Sequence, residues 1–243
     1  MIDGKRIAAV IVAAGKGLRM GREMPKQYLP LASECVLSHT VRAFERSAAD
    51  DIVLVCPAGD EDFVKTRVLA GRFLKVRAVT AGGKERFESS YAGIKAVCEL
   101  RAELPDIILI HDGVRALITP ELIDSVAAAL SGHPAVCPGV SVKETIRQIG
   151  DGGISVSVPE RGSLRAIQTP QGFEAKLIVE AYERFFEDIA KTPEAAEGVT
   201  DDAMLVERYM RQPVFVAEGS YENIKITTPE DLLLAEGILG KRV

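Results

Sequence analysis

Short apolar segments alternate with amphipathic ones along most of this 243-residue chain. Apolar, β-branched runs of a few residues predict strands at 7–13, 52–56, 75–80, 107–111, 135–137 and 214–217. Such near-continuous apolar strands are buried on both faces, and the amphipathic segments between them provide the helices that cover them. The alternation therefore predicts an α/β fold: a Rossmann-like, mostly parallel sheet with helices on both faces.

Helices are predicted from periodicity and from capping residues. Residues 36–46 and 85–100 each place apolar side chains along one helical stripe. Thr119, Pro120 and Glu121 are typical of a helix start, and that helix is expected to end near residue 130. Because ligands of such sheets bind beyond the carboxyl ends of the strands, we expect the loops after residues 13, 80, 111 and 137 to share one rim.

One segment interrupts the α/β pattern. Residues 141–158 alternate in polarity, are rich in β-forming residues, and contain a Gly-Asp-Gly-Gly turn at 150–153. We predict a single domain over residues 1–243 from which a β-hairpin arm, residues 141–160, protrudes. An uncovered hairpin needs a covering surface, so we expect the arm to exchange with a second subunit in a homodimer. The alternative is a hairpin folded on its own domain.

Charge and cysteine usage limit the possible partners. Thirty basic and thirty-five acidic residues give a net charge of −5, which disfavours nucleic acid and anionic membrane as partners. Four cysteines without a C-x-x-C motif indicate buried thiols in a reducing compartment. No segment approaches the roughly 18–20 apolar residues of a membrane span. We therefore expect a soluble, cytoplasmic protein.

The first predicted strand leads into a cationic, glycine-rich loop. Ala-Ala-Gly-Lys-Gly-Leu-Arg-Met-Gly occupies positions 13–21, and Met-Pro-Lys-Gln-Tyr follows at 24–28. Small residues let the backbone approach a ligand closely. Four cations crowd the loop, namely Lys16, Arg19, Arg22 and Lys26. A strand that ends in such a loop is typical of a phosphate-binding site.

Two common phosphate-binding motifs do not fit this loop. Gly15 and Gly17 match the first positions of the dinucleotide motif G-x-G-x-x-G, but Met20 occupies the third. A P-loop needs Lys and Ser or Thr after its second glycine, and Gly21 is followed by Arg22. A nicotinamide oxidoreductase is therefore disfavoured. A structural turn stays open as an alternative.

Two further loops carry chemistry on the predicted rim. After the third strand, Gly82 and Gly83 allow backbone contact with a flat base, and a hydroxyl at Ser89 is placed to bond its edge. After the fourth strand comes Asp112, followed by Arg115; an aspartate at the end of a strand is a natural Mg²⁺ ligand where a triphosphate binds beside it. The alternatives are a plain turn for the first loop, and a helix cap with a surface partner for the second.

These motifs together resemble a known family. The run A-A-G-x-G-x-R-M resembles sugar-phosphate nucleotidyltransferases, and P-K-Q-Y resembles the cytidylyltransferases that activate polyol phosphates. The chain is most similar to the 2-C-methyl-D-erythritol 4-phosphate cytidylyltransferase family of the non-mevalonate isoprenoid pathway. Matching segments continue as V-K-E-T at 142–145, Q-T-P-Q-G-F at 168–173 and E-N-I-K-I-T-T-P-E-D-L at 222–232. Lys84, Ala116 and Glu144 depart from the family pattern.

The resemblance implies a function and a set of site residues. It implies transfer of CMP from CTP to 2-C-methyl-D-erythritol 4-phosphate by a Mg²⁺-dependent homodimer. Catalytic roles are implied for Arg19, Lys26, Arg161 and Lys225. Nucleotide binding is implied for Ala13, Ala14, Gly15, Gly17, Lys26, Gly83, Ser89 and Asp112, with Asp112 also the metal ligand. Acceptor binding is implied for Arg115, Thr145, Arg161, Thr169 and Lys225. Arg165 competes with Arg161 for its role.

Two other functions stay open beside this one. Ribitol-5-phosphate cytidylyltransferases share most of the motifs, but the Ala-Ala-Gly start and the Val-Pro-x-Arg segment favour the erythritol enzyme. A non-catalytic nucleotide-binding protein on the same fold would be expected to have lost cations or the aspartate, and all are present.

Overall fold

A computed structural model describes residues 2–15 and 24–242 of the chain. Its strands are β1 (Ile7–Val12), β2 (Pro30–Leu31), β3 (Glu34–Cys35), β4 (Asp51–Cys56), β5 (Val76–Ala81), β6 (Ile107–Asp112), β7 (Ala135–Ser141), β8 (Gln148–Ile149), β9 (Ser155–Ser157), β10 (Arg165–Ile167), β11 (Gln171–Glu174) and β12 (Phe215–Glu218). Its helices are α1 (Val36–Arg46), α2 (Glu61–Phe63, continued by a π-helical turn over Val64–Leu69), α3 (Arg86–Glu99), α4 (Pro120–Ala129), α5 (Ala175–Lys191), α6 (Ala203–Met210) and α7 (Pro229–Lys241).

The central sheet has eight strands in the order β10-β7-β11-β6-β1-β4-β5, and β12 pairs with β7. β6, β1, β4 and β5 pair in parallel, as do β7 and β12. β10 and β11 run antiparallel to their neighbours. The predicted α/β class with a mostly parallel sheet is confirmed.

Helices pack on both faces of the sheet. Successive side chains of β1 point to opposite faces, so the strand contributes to the packing on each side. Ile7, Ala9 and Ile11 belong to one buried cluster, which contains apolar residues of α1 and α4. Ala8 and Val10 belong to the other, which contains residues of α3, α5 and α6. All five side chains are at most 2% exposed. The strand is therefore apolar throughout because each face supplies part of a separate core.

β7 extends further than its sequence indicates. The sequence predicts a strand over residues 135–137, yet β7 continues through Pro138 and Gly139 to Ser141. Gly139 is required there, since a Cβ atom would lie 2.9 Å from Cγ1 of Val216 on β12. Consequently the loop after residue 137 is not part of the binding rim, and the chain leaves β7 directly into the arm.

The predicted hairpin is present within the arm. β8 and β9 pair antiparallel as a separate two-stranded sheet. The turn between them uses Gly152 and Gly153 at φ angles of 67° and 78°, which favour glycine. Apolar side chains on the hairpin are strongly exposed, with Ile154 at 69%. Exchange of the arm with a second subunit stays a prediction.

No helix in the described ranges combines the length and apolar character that crossing a bilayer requires.

Close packing of α3 on the sheet generates a stability prediction. A Cβ atom on Gly93 would lie 2.2 Å from Cγ1 of Val10 and 2.9 Å from Cγ2 of Val55. Overpacking a core costs about 1–3 kcal/mol, so Gly93→Ala should lower the free energy of unfolding by that amount in urea denaturation. Gly237 on α7 has no atom within 4 Å of such a Cβ.

Gly237→Ala is therefore the matched control. It should stabilise the protein by up to about 1 kcal/mol, because alanine is the better helix former. A Gly93→Ala protein as stable as the original would show that α3 does not pack on β1 and β4 as described.

Candidate active site

Two neighbouring cavities open where β1, β5 and β6 end. The larger has a volume of about 500 Å³ and is lined by Val12, Ala13, Ala14, Gly15, Lys26, Gln27, Gly83, Lys84, Glu85, Arg86, Ser89, Asp112, Val114, Lys225 and Thr227. The smaller, of about 230 Å³, is lined by Arg86, Asp112, Arg115, Ile167, Gln168, Thr169, Gln171, Thr200, Asp201 and Lys225. Arg86, Asp112 and Lys225 line both, so these three side chains mark the boundary between the cavities.

The wall of the larger cavity consists of loops in close contact. The N–H of Ala13 donates to the carbonyl of Val55 (2.7 Å), and that of Gly82 donates to the carbonyl of Cys56 (2.8 Å). A Cβ atom on Gly82 would lie 2.3 Å from Cβ of Ala14. The loops after β1 and β5 therefore touch because both carry small residues, and this leaves backbone groups facing the cavity.

The start of α3 fixes the second loop. Glu85 and Glu88 form a reciprocal capping box, and Glu88 Oε2 accepts from the N–H of Lys84 (2.6 Å). The Ser89 hydroxyl accepts from the N–H of Gly83 (3.1 Å) and donates to the carbonyl of Glu85 (3.2 Å). Gly83 and Ser89 thus line the cavity as expected, and the hydroxyl of Ser89 also holds the loop in shape.

Lys26 opens a single 3₁₀ turn, Lys26–Tyr28, at the edge of the larger cavity. Tyr28 anchors this turn: its hydroxyl donates to Oδ2 of Asp60 (2.9 Å), and its ring contacts the edge of Phe63. Burial and the Asp60 carboxylate raise the pKa of Tyr28 well above its usual range, so the hydroxyl stays a donor. Gly17 and Arg19 lie outside the described residues, and their roles stay predictions.

Asp112 ends β6 and faces three cations at the boundary of the cavities. Its Oδ1 accepts from Nε of Arg86 (3.2 Å), and its Oδ2 lies 2.9 Å from Nζ of Lys225 and 3.5 Å from Nε of Arg115. Burial alone would raise the pKa of Asp112. The charges of Arg86, Lys225 and Arg115 outweigh it and hold that pKa well below its usual range. The carboxylate therefore stays ionised at neutral pH.

Arg86 was not predicted as a site residue. Its position shortly after the Gly82-Gly83 pair was the one sequence feature that could have indicated it. Besides Asp112 it contacts Asp202, which lies 116 residues away in the sequence. Nη2 of Arg86 lies 2.7 Å from Oδ2 of Asp202, and Oδ1 of Asp202 accepts from the Tyr182 hydroxyl (2.6 Å). Burial would lower the pKa of Arg86, but Asp202 and Asp112 outweigh it and raise that pKa above its ordinary value.

The smaller cavity joins Arg115 and Thr169 to Lys225. The Thr169 hydroxyl accepts from the N–H of Asp112 (3.1 Å) and lies 2.9 Å from Nδ1 of His111. Burial lowers the pKa of His111 to about 3, so this ring is neutral. Arg115 Nη1 donates to the carbonyl of Asn223 (2.8 Å). Three of the expected acceptor residues thus share one cavity although they are far apart in sequence.

Two expected acceptor residues lie elsewhere. Thr145 on the arm and Arg161 directly after it are exposed, and neither is among the described residues that line the cavities. Arg161 Nη1 donates to the carbonyl of Lys143 on the arm (3.1 Å). Arg165 is also exposed, and its Nη1 donates to the carbonyls of Gly162 and Leu164. Within one chain, the arm and the cavities are separate.

The residues at the boundary fit a magnesium ion only together with a phosphate ligand. Within 2–15 and 24–242, no group of three or more His, Cys, Asp or Glu side chains is arranged to hold a metal ion. Mg²⁺ commonly uses one or two carboxylates and completes its shell with substrate phosphates and waters. Asp112 supplies one carboxylate next to a cavity of the right size for a nucleotide, which fits that pattern.

Comparison with known proteins identifies the family. A sequence model of the 2-C-methyl-D-erythritol 4-phosphate cytidylyltransferases matches residues 7–241. The chain belongs to this family. Curated members from Syntrophotalea carbinolica and Alkaliphilus oremlandii are 43% and 41% identical over 96% and 98% of this chain, and each is covered over 96% of its own length.

Solved structures agree with the sequence comparison. The crystal structure of 4-diphosphocytidyl-2C-methyl-D-erythritol synthase from Anaerococcus prevotii is 35% identical, with a TM-score of 0.83 over 98% of both chains. The Thermus thermophilus cytidylyltransferase is 29% identical, with a TM-score of 0.72 over 98% of this chain and 100% of its own. The predicted family and enzyme class, a nucleotidyltransferase, are confirmed, and the ribitol alternative is not favoured.

The contact between Gly82 and Ala14 generates a prediction about nucleotide affinity. A methyl group at position 82 would also lie 2.6 Å from the Ser89 hydroxyl, so Gly82→Ala must push the two loops of this cytidylyltransferase apart. We expect the Kd for CTP to rise by about tenfold, measured by isothermal titration calorimetry.

Gly132→Ala is the control, because a Cβ atom there has no neighbour within 4 Å. It should bind CTP as the original protein does. Unchanged CTP affinity in Gly82→Ala would mean that the nucleotide does not use this wall.

Proposed function

We propose that this enzyme transfers CMP from CTP to 2-C-methyl-D-erythritol 4-phosphate, giving 4-diphosphocytidyl-2-C-methyl-D-erythritol and pyrophosphate. The observation that carries the proposal is the meeting of two cavities at Asp112, where Arg86, Arg115 and Lys225 are gathered on one carboxylate. A reaction between two phosphate-bearing substrates needs two adjoining sites with cations at their junction. Family membership supplies the identities of the two substrates.

CTP fits the larger cavity. Its volume of about 500 Å³ is within the range of small-molecule sites. The small residues Ala13, Ala14 and Gly83 let the base and ribose approach the backbone, and Lys26 and Lys225 line the same cavity for the phosphates. The acceptor phosphate then enters the smaller cavity, where Arg115, Thr169 and Lys225 lie. With both substrates bound in this way, the acceptor phosphate would lie beside the α-phosphate of CTP.

The chemical step is an in-line displacement. An oxygen of the acceptor phosphate forms a bond to the α-phosphorus, and the bond from that phosphorus to the oxygen bridging to the β-phosphorus breaks, so pyrophosphate leaves. A phosphate monoester is largely ionised at neutral pH, so no strong general base is needed. Catalysis consists of positioning and charge stabilisation. Lys26, with Arg19 by family resemblance, stabilises the transition state, and Lys225 orients the acceptor phosphate.

We place a divalent cation, Mg²⁺, at Asp112 when CTP is bound. When bound, the ion neutralises phosphate charge and favours departure of pyrophosphate. The protein's contribution is the ionised carboxylate, which the surrounding cations keep deprotonated. Lys225 is the most exposed of those three cations, with 38% of its side chain accessible, so it is the one best placed to turn toward a phosphate.

The arm supplies the remaining acceptor residues from a second copy of the chain. Thr145 on the arm and Arg161 directly after it are exposed and line neither cavity of their own chain. The hairpin also exposes Ile149, Ile154 and Val156 by 55%, 69% and 65%, an apolar surface that a second subunit would cover. We therefore propose a homodimer in which each arm completes the partner's site. All four cysteines are free, which suits a cytoplasmic enzyme.

The substrate assignment is tested by measuring pyrophosphate release from CTP with two acceptors in parallel. We expect a kcat/KM for 2-C-methyl-D-erythritol 4-phosphate at least about a hundredfold above that for ribitol 5-phosphate, because the smaller cavity must hold the polyol as well as its phosphate. ATP, GTP and UTP serve as nucleotide controls. A preference for ribitol 5-phosphate would overturn the acceptor, and no pyrophosphate with either would overturn the transferase function.

Arm exchange is tested by mixing two inactive variants. Lys26→Ala and Arg161→Ala should each lower kcat by about a hundredfold or more, as loss of one transition-state donor does. After subunit exchange in equal amounts, about half of the dimers are mixed, and each mixed dimer contains one site with both residues intact. Activity should therefore return to about a quarter of the original value.

The activity of the mixture distinguishes an arm that completes the partner's site from an arm that acts on its own chain. If each arm acted on its own chain, every site in the mixture would carry one substitution, and activity would stay at the level of the single variants. Mixing each variant with itself, through the same exchange procedure, controls for losses during handling.

A further inference from the structure

We infer that Asp202 and Tyr182 are positioning residues for the transfer reaction: they hold Arg86 against Asp112 and keep its charge from the substrate phosphates. We name these three residues, Tyr182, Asp202 and Arg86, the arginine brace. The inference rests on the proposed function, because it concerns how the carboxylate at the junction of the two substrate cavities is held in place.

The brace is a continuous chain of short contacts from the helical layer to the site. The Tyr182 hydroxyl on α5 donates to Oδ1 of Asp202 (2.6 Å), and Oδ2 of Asp202 lies 2.7 Å from Nη2 of Arg86. Nε of Arg86 then donates to Oδ1 of Asp112 (3.2 Å). Tyr182 and Asp202 are fully buried, so neither can touch the substrates.

The backbone around Asp202 is fixed as firmly as its carboxylate. The N–H groups of Asp202 and Ala203 both donate to Oε1 of Gln171 (3.0 and 2.9 Å), and Nε2 of Gln171 donates to Oδ2 of Asp201 (2.8 Å). Gln171 begins β11 in the central sheet. The start of α6 is therefore tied to the sheet, and Asp202 presents its carboxylate to Arg86 in one orientation.

Charge explains why the reaction depends on this arrangement. Arg86 lines both cavities, so an unpaired guanidinium there would bind a phosphate of CTP or of the acceptor. Asp202 occupies one side of the guanidinium and compensates its charge. Arg86 then stays on Oδ1 of Asp112 while Lys225 and Arg115, on Oδ2, are left to meet the acceptor phosphate.

A double-mutant cycle tests whether Asp202 acts through Arg86. Asp202→Asn should lower kcat by about tenfold or more, the usual effect of losing a residue that orients a catalytic group, while the KM for CTP falls or stays constant because Arg86 is released toward phosphate. Arg86→Gln should also lower kcat. In the Arg86→Gln background, Asp202→Asn should cause little further loss. If the two losses multiply instead, Asp202 is only a structural residue and the inference is wrong.

Two tyrosines provide a milder test if Asp202→Asn fails to fold. The Tyr209 hydroxyl on α6 donates to Oδ2 of Asp188 on α5 (2.7 Å). Like the Tyr182–Asp202 pair, it is a tyrosine–aspartate hydrogen bond that links α5 to α6. Neither Asp188 nor Tyr209 lines either cavity. Tyr182→Phe should lower kcat several-fold, and Tyr209→Phe should leave kcat unchanged. Equal kcat values for Tyr182→Phe and the original protein would overturn the inference.

Pyrophosphate release by the unsubstituted enzyme distinguishes a failure of this inference from a failure of the proposed function. If it releases no pyrophosphate with 2-C-methyl-D-erythritol 4-phosphate, the proposed function fails. If it is active and the cycle shows independent losses, the function stands and the arginine brace fails. Urea denaturation of each variant identifies losses of activity that come from unfolding.

Discussion

The site depends on one buried carboxylate that holds several cations in place before any substrate arrives. Asp112 is 6% exposed, and Arg86, Arg115 and Lys225 surround its two oxygens. Removing such a charge from water is costly unless opposite charges compensate it, and three cations so close together would repel one another without it. The carboxylate thus stabilises a concentration of positive charge at the position where we propose that the two anionic substrates meet, so little reorganisation would be needed when they bind.

The sheet determines where this cluster can form. β6 places Asp112 at its carboxyl end, β1 ends beside it at Val12, and β5 is followed by the loop that leads into α3. Contact between these loops requires small residues, as at Gly82 and at Gly113, where a Cβ atom would lie 2.8 Å from Cβ of Ala13. The same edge of the sheet therefore combines tight backbone packing with concentrated charge.

Local patterns predicted much of this architecture. Helix α1 has the predicted bounds, and the strands β1, β4, β5 and β6 are within one residue of prediction, because their signals lie in contiguous sequence. Asp112 and Gly83 were expected at the binding rim because each follows a predicted strand, whereas Lys26 was expected from the family resemblance; all three line the larger cavity. Arg86 with Asp202 was missed because that pair joins residues 116 positions apart. β10 and β11 were missed because they are short and contain polar residues.

The position of strand β10 bears on how specific activity depends on protein concentration. β10 pairs with the end of β7, so the segment that returns from the arm enters the sheet there, and Thr169, which lines the smaller cavity, follows two residues after Ile167. If each arm completes a neighbouring subunit, association and assembly of the acceptor cavity are one linked equilibrium. Specific activity would then fall on dilution, and the substrates themselves would draw subunits together.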